Sequence, residues 1–221
     1  MGAAEFTHLS LGQVPTGTCP KDSDELSSLT DSTGLEFVRQ SYKKGKGVLI
    51  FTAHYGVWEL GGKFWPESGF KTAVVARRIK NPYVNELVTH IREGSGAKVI
   101  LARDAVRESI RWLKEGGLLA VLIDHRVTAG GLAIPFFGKP AYTTSLPAIL
   151  ALRYDIPIHP AYCIRDGKKF KVQIDPAMDF SDLKPTEEGI QEATLRMNKV
   201  VEGWIRQHPQ AWLWIHDRWK V

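Results

Sequence analysis

GVLIFTAHYGVWELGG, residues 47–62, packs a buried strand, a sharp turn and the start of a helix into one short stretch. GVLIFTA (47–53) is continuously apolar rather than alternating, as expected of a strand covered on both faces. VWELGGKF (57–64) reads as a short helix. Between them lie His54 and, five residues later, Glu59. On one helix that spacing would leave the two side chains roughly 140° apart. With His54 on the strand-to-helix loop and Glu59 in the first helical turn, the chain can fold back and bring them together. Gly56 suits such a turn because it tolerates backbone angles that a side chain forbids.

A carboxylate on one imidazole nitrogen fixes the tautomer and raises the basicity of the other. The product is a general base able to deprotonate a hydroxyl, a step worth about 10²–10⁴-fold. A structural histidine hydrogen-bonded in a loop fits the same spacing. The position favours chemistry, since ligands in open α/β folds bind at the strand ends.

Outward from this stretch, apolar runs alternate with amphipathic segments. FKTAVVA (70–76), AKVIL (97–101) and LLAVLID (118–124) read as further strands. Asn81-Pro82 opens a helix, a cap residue followed by proline at the first helical position, and the helix runs to about Glu93. From Asp104 a helix places Val106, Ile110 and Leu113 on one face and ends at Gly116-Gly117. TAGGLAIPFFGKPAY (128–142) is too punctuated for regular structure. SLPAILALRYD (145–155) predicts a helix, and PIHPAYCIR (157–165) with KKFKVQID (168–175) a hairpin turning at Asp166-Gly167. A long helix near 186–207 puts Ile190, Ala193, Met197, Val200 and Trp204 on one face, and AWLWIH (211–216) predicts a last short strand. The expected fold is α/β: a central, mostly parallel mixed sheet flanked by helices, with its antiparallel portion late in the chain.

Composition agrees with one folded domain of 221 residues, 43% hydrophobic and 24% charged. Residues 1–44 are expected to be an atypical, loosely ordered segment, rich in Ser, Thr, Gly, Pro and Asp toward its start, ahead of a domain over 45–221. The net charge of +5 favours anionic partners without choosing among nucleic acid, anionic lipid and an acidic carrier protein. The basic residues are spread along the chain and no recognition motif occurs, so nucleic acid is not an expected partner. Cys19 and Cys163 lie far apart, which argues against a disulfide framework, and Cys163 reads as a small buried hydrophobe. No run of about 18 or more apolar residues occurs, and MGAAEFTHLS has no signal-like apolar core.

Several motifs, in order, resemble one family. HYGVWE after an apolar strand resembles the His-four-residues-acid motif of the glycerolipid acyltransferases. It takes the Glu-ending form of the bacterial lipid A biosynthesis (lauroyl/myristoyl) acyltransferases. ARRIKNP, HIREGSGAKVI and LLAVLIDHR resemble the blocks that follow, as do the Phe-Phe-Gly loop within IPFFGKPAYTTSLPAILALRYDIPIHPAY and the C-terminal WLWIHDRWK. The resemblance covers almost the whole chain after Gly45. Val57 and Ala76 depart from it, standing where many relatives have Asn and Tyr, and neither change removes a catalytic group.

The resemblance implies transfer of a fatty acyl chain from acyl carrier protein, or from CoA, to a hydroxyl of a lipid A precursor. His54 would be the general base and Glu59 its partner, while Arg77, Arg92, Asp124 and Arg218 would form the substrate site. Guanidinium groups suit the phosphates of such an acceptor. No metal or cofactor is implied beyond the thioester co-substrate. The implied place of work is a membrane surface, peripherally, on the cytoplasmic face of a bacterial inner membrane. Rival expectations are acyl transfer from acyl-CoA to another glycolipid or phospholipid, a non-catalytic lipid-binding relative, and a metal hydrolase using His54, Glu59, Asp124 and His125. Phe136 and Phe137 fit either an acyl tunnel or the core.

Overall fold

The computed structural model describes residues 28–127 and 130–220. Among these, seven strands form one sheet in the order β1-β9-β8-β2-β5-β3-β4. They are β1 (Thr30–Thr33), β2 (Val48–Thr52), β3 (Thr72–Ala76), β4 (Lys98–Leu101), β5 (Leu118–Leu122), β8 (Ile158–Asp166) and β9 (Lys169–Ile174). All neighbours run parallel except β8 and β9, which pair antiparallel across Asp166-Gly167. The mostly parallel α/β architecture is as the sequence predicts, including its late antiparallel portion.

The sheet is covered on both faces, which is why its central strands carry unbroken apolar runs. Helices α1 (Leu35–Tyr42) and α2 (Gly61–Glu67) cover one face, burying Val38, Phe64 and Trp65 against Val48, Ile50 and Leu118. Helices α4 (Ala105–Lys114), α5 (Leu146–Tyr154) and α6 (Glu187–Gln207) cover the other, where Leu113, Leu150, Ala193 and Trp204 meet Leu49, Phe51 and Leu119. α3 (Pro82–Gly94) lies against the edge strand β4 and buries no residue. Its start is as predicted: Asn81 Oδ1 accepts from the backbone N–H groups of Tyr83 and Val84, with Pro82 at the first position.

Four expectations need correction. Residues 1–27 of the expected loose segment lie outside the described residues, but 28–44 are structured: β1 extends the sheet beside β9, and α1 buries Val38. The punctuated 128–142 region holds a hairpin, β6 (Gly131–Phe136) and β7 (Lys139–Thr144), turning at Phe137-Gly138. It is held from outside by α6, whose Asn198 amide donates to Pro135 O and Thr143 Oγ1, and Phe136 is core rather than tunnel lining. In α4 the buried stripe is Ala105, Ser109 and Leu113, and Val106 is turned outward. The expected strand at 211–216 reduces to one bridge, Trp212 against Tyr55, after a 3₁₀ turn at Pro209–Ala211.

Candidate active site

β2 and β5 are adjacent, parallel and in register, from Val48 opposite Leu118 to Thr52 opposite Leu122. Two residues beyond the last pair, the same register sets His54 beside Asp124. Their side chains meet: His54 Nδ1 lies 2.8 Å from Asp124 Oδ1. The carboxylate also accepts from the His54 backbone N–H at 2.8 Å and from the Trp212 indole N–H at 2.9 Å, both at Oδ2. Leu213 N–H donates to His54 O, so backbone bonds clamp this histidine from both sides.

Asp124 is 1% exposed. Burial pushes its carboxyl up, but the bond and charge attraction from the His54 ring, with the Trp212 indole and the His54 N–H, outweigh that and hold it below the usual carboxylate range. An ionised carboxylate only accepts, so Nδ1 carries the proton and Nε2 is the free, basic nitrogen. Around the imidazole stand Trp58 at 5.1 Å between ring centroids, His125 at 4.2 Å and His216 at 5.5 Å.

The turn after His54 is built on Gly56. Its φ is +62°, and a Cβ there would sit 2.0 Å from Cys163 O, so only glycine fits against β8. The chain then enters the 3₁₀ turn Trp58–Leu60, which carries Glu59 outward to the rim. There Glu59 Oε1 accepts from Arg92 Nη2 at 2.7 Å. The carboxylate expected against His54 therefore faces an arginine, and the imidazole partner is Asp124, expected from the sequence in the substrate site. The metal-hydrolase set is likewise not assembled, since Glu59 turns away from the other three residues.

His54, Glu59, Arg77 and Arg92 all line a cavity of about 600 Å³. Its depth is apolar: Ile50, Val74 and Ala120 from the sheet, Phe64 and Trp65 from α2. Leu146 and Ile149 of α5 contribute on the other side, and His125 lies at the mouth. Arg218 does not belong to this cavity. It is 0% exposed, donates to Tyr142 O at 2.8 Å and Thr143 Oγ1 at 2.6 Å, and stacks on Phe136. It ties the C-terminal segment to β7, out of reach of a substrate anion.

Trp212 and His216 are site residues that sequence reasoning missed. Both lie in the WLWIHDRWK block, but no local pattern ties an indole to a strand-end aspartate 88 residues earlier. Among the described residues no group of three or more His, Cys, Asp or Glu is placed to hold a metal ion, and no helix is long and apolar enough to cross a membrane.

Residues 6–221 match the family described as bacterial lipid A biosynthesis acyltransferase. The match begins well before Gly45, so much of the segment read as atypical falls inside it. A lipid A biosynthesis acyltransferase of Haemophilus influenzae is 23% identical over 201 residues, covering 88% of this chain and 60% of that protein. A phosphatidylinositol mannoside acyltransferase of Mycobacterium tuberculosis is 23% identical over 190 residues, 84% of this chain and 58% of the relative. The lipid A biosynthesis lauroyltransferase of Escherichia coli is 27% identical, covering 100% of this chain and 72% of its own length. The chain thus spans about three-fifths of the length of the first two relatives.

Proposed function

The chain belongs to the bacterial lipid A biosynthesis acyltransferase family, and on that footing we propose that it transfers a fatty acyl chain from a carrier thioester to a hydroxyl of a phosphorylated glycolipid. The observation that carries this reading is the His54–Asp124 pair at the mouth of a deep apolar cavity. His54 Nε2 takes the proton of the acceptor hydroxyl as its oxygen attacks the thioester carbonyl. The tetrahedral intermediate collapses with cleavage of the carbon–sulfur bond, and the protonated imidazole returns its proton to the departing thiolate. Asp124 keeps the ring in the productive tautomer and stabilises its transient positive charge.

The apolar depth suits the acyl chain, each buried methylene contributing about 0.8 kcal/mol. Arg77 at the rim suits the phosphates of the acceptor, and Arg92 holds Glu59 beside them. Glu59 then acts as an organiser of the rim rather than as the partner of the base. Acyl carrier protein is the favoured donor, since a net charge of +5 complements an acidic carrier. Such a donor sets the reaction on the cytoplasmic face of the inner membrane. The mannoside acyltransferase among the relatives supports a second acceptor of the same kind, a phosphatidylinositol mannoside.

The test is to incubate the full chain with acyl carrier protein or CoA bearing different acyl chains, together with either acceptor, and to weigh the lipid product. One acyl group gained by one of the glycolipids is the expected result. Thioester loss as free fatty acid, with neither acceptor heavier, would contradict the proposal.

A further inference from the structure

Helix α3 is built inside out. At 100° per residue, Tyr83, Leu87, Ile91, Val84 and Val88 fall on one arc of about 140°. An arc of that width ordinarily faces a core. Here the side turned to the domain is the polar one: Asn85 Oδ1 accepts from Ile79 N–H at 2.9 Å, and Arg92 reaches Glu59. The apolar arc faces out, with Tyr83 81%, Leu87 59% and Ile91 58% exposed. Ile79, also exposed, and Arg92 of the same helix line the cavity, so α3 stands at its edge. An outward apolar arc of this kind, on a helix that borders a site, marks an interaction surface.

Charge selects the occupant. The segment leading into α3 carries Arg77, Arg78 and Lys80, all exposed and without a carboxylate partner among the described residues. A second copy docked through the same face would bring like charges together. A surface that takes apolar side chains and neutralises cations at once is the interface of an anionic bilayer, whose negative surface potential attracts each nearby Lys or Arg.

We propose that α3 lies in the headgroup region of an anionic membrane, with Leu87 and Ile91 directed into the acyl boundary, so that the cavity mouth opens at the level from which a lipid acceptor rises. What this docking delivers rests on the acyl-transfer reading, but vesicle binding is measured without turnover, so the two can fail separately.

The experiment is co-sedimentation of the full chain with phosphatidylcholine vesicles and with equal mixtures of phosphatidylcholine and phosphatidylglycerol. Binding should favour the mixed vesicles and weaken as salt is raised. The double variant L87Q/I91Q, its fold checked by circular dichroism, should partition at least about tenfold more weakly. It should keep the parent turnover on a detergent-dispersed acceptor. Equal partition of parent and variant overturns the proposal, as does binding to phosphatidylcholine alone that matches the mixture. A dimer in solution that L87Q/I91Q dissociates also overturns it, in favour of a second copy. Vesicle binding lost in L87Q/I91Q, with no acyl transfer by either protein, upholds the docking and removes the proposed reaction.

Discussion

Replacing Asp124 with asparagine separates the chemistry of the pair from its shape. Asp124 Oδ2 accepts from both the His54 N–H and the Trp212 indole, whereas Oδ1 faces only His54 Nδ1. Asparagine can put its carbonyl oxygen in the Oδ2 position and keep both of those bonds. Its amide then points at Nδ1 as a donor. The imidazole must answer by accepting there, which moves its proton to Nε2, the nitrogen that should be the base. The fold is retained at a cost of about 1–2 kcal/mol for weaker, uncharged bonds, a fall of about 2–8 °C in Tm. Turnover should fall by about 10³–10⁴, the size associated with trapping a catalytic histidine in the wrong tautomer. Single-turnover transfer from an acyl-thioester measures the rate, and ¹⁵N NMR of the histidines reads the tautomer. The matching control is Glu59→Gln, which loosens an exposed ion pair, should change stability by under about 1 kcal/mol, and should cost far less turnover. D124N within tenfold of the parent, or E59Q as the more damaged variant, would refute this reasoning.

Three further outcomes follow from the same contacts. Ala120 lies between Ile50 and Val74 on the apolar wall, so Ala120→Leu should shift preference to shorter acyl donors, about fourfold per methylene excluded; an unchanged profile in a mixed-donor competition would place the chain elsewhere. Arg218→Met removes two buried charge-assisted bonds and should cost about 2–4 kcal/mol, about 4–16 °C in Tm. An unchanged Tm with weaker acceptor binding would restore Arg218 to the substrate site. The Asp124 carboxyl is held below its unfolded value, so its contribution to stability is present above about pH 4 and is lost as pH falls through the lower folded value. The melting difference between parent and D124N should therefore shrink on acidification, and a gap that widens between pH 5 and pH 2 would contradict that sign.

The sheet was readable because parallel strands covered on both faces leave unbroken apolar runs such as VLIFT and LLAVL, and loops mark their ends with Gly and Pro. The 131–144 hairpin was not, because its regularity comes from Asn198 and Arg218, contributed from far along the chain. The site was half visible. His54 declared itself by position, and Gly56 by the turn it permits. The partner of His54 did not, because sequence proximity pointed to Glu59. Asp124 reaches the imidazole only through the order and register of β2 and β5, which no local pattern encodes. The outward α3 arc shows how the same limit works in reverse: the Asn81-Pro82 start predicts a helix correctly and says nothing about which face meets the domain.

The most direct measurement counts thiol released and acyl-glycolipid formed in the same reaction, for the parent and for His54→Ala. A base that hands one hydroxyl to one thioester predicts equal amounts of the two products in the parent, and a loss of both of at least about 10² in the variant. Acyl-glycolipid formed by His54→Ala at the parent rate would contradict it.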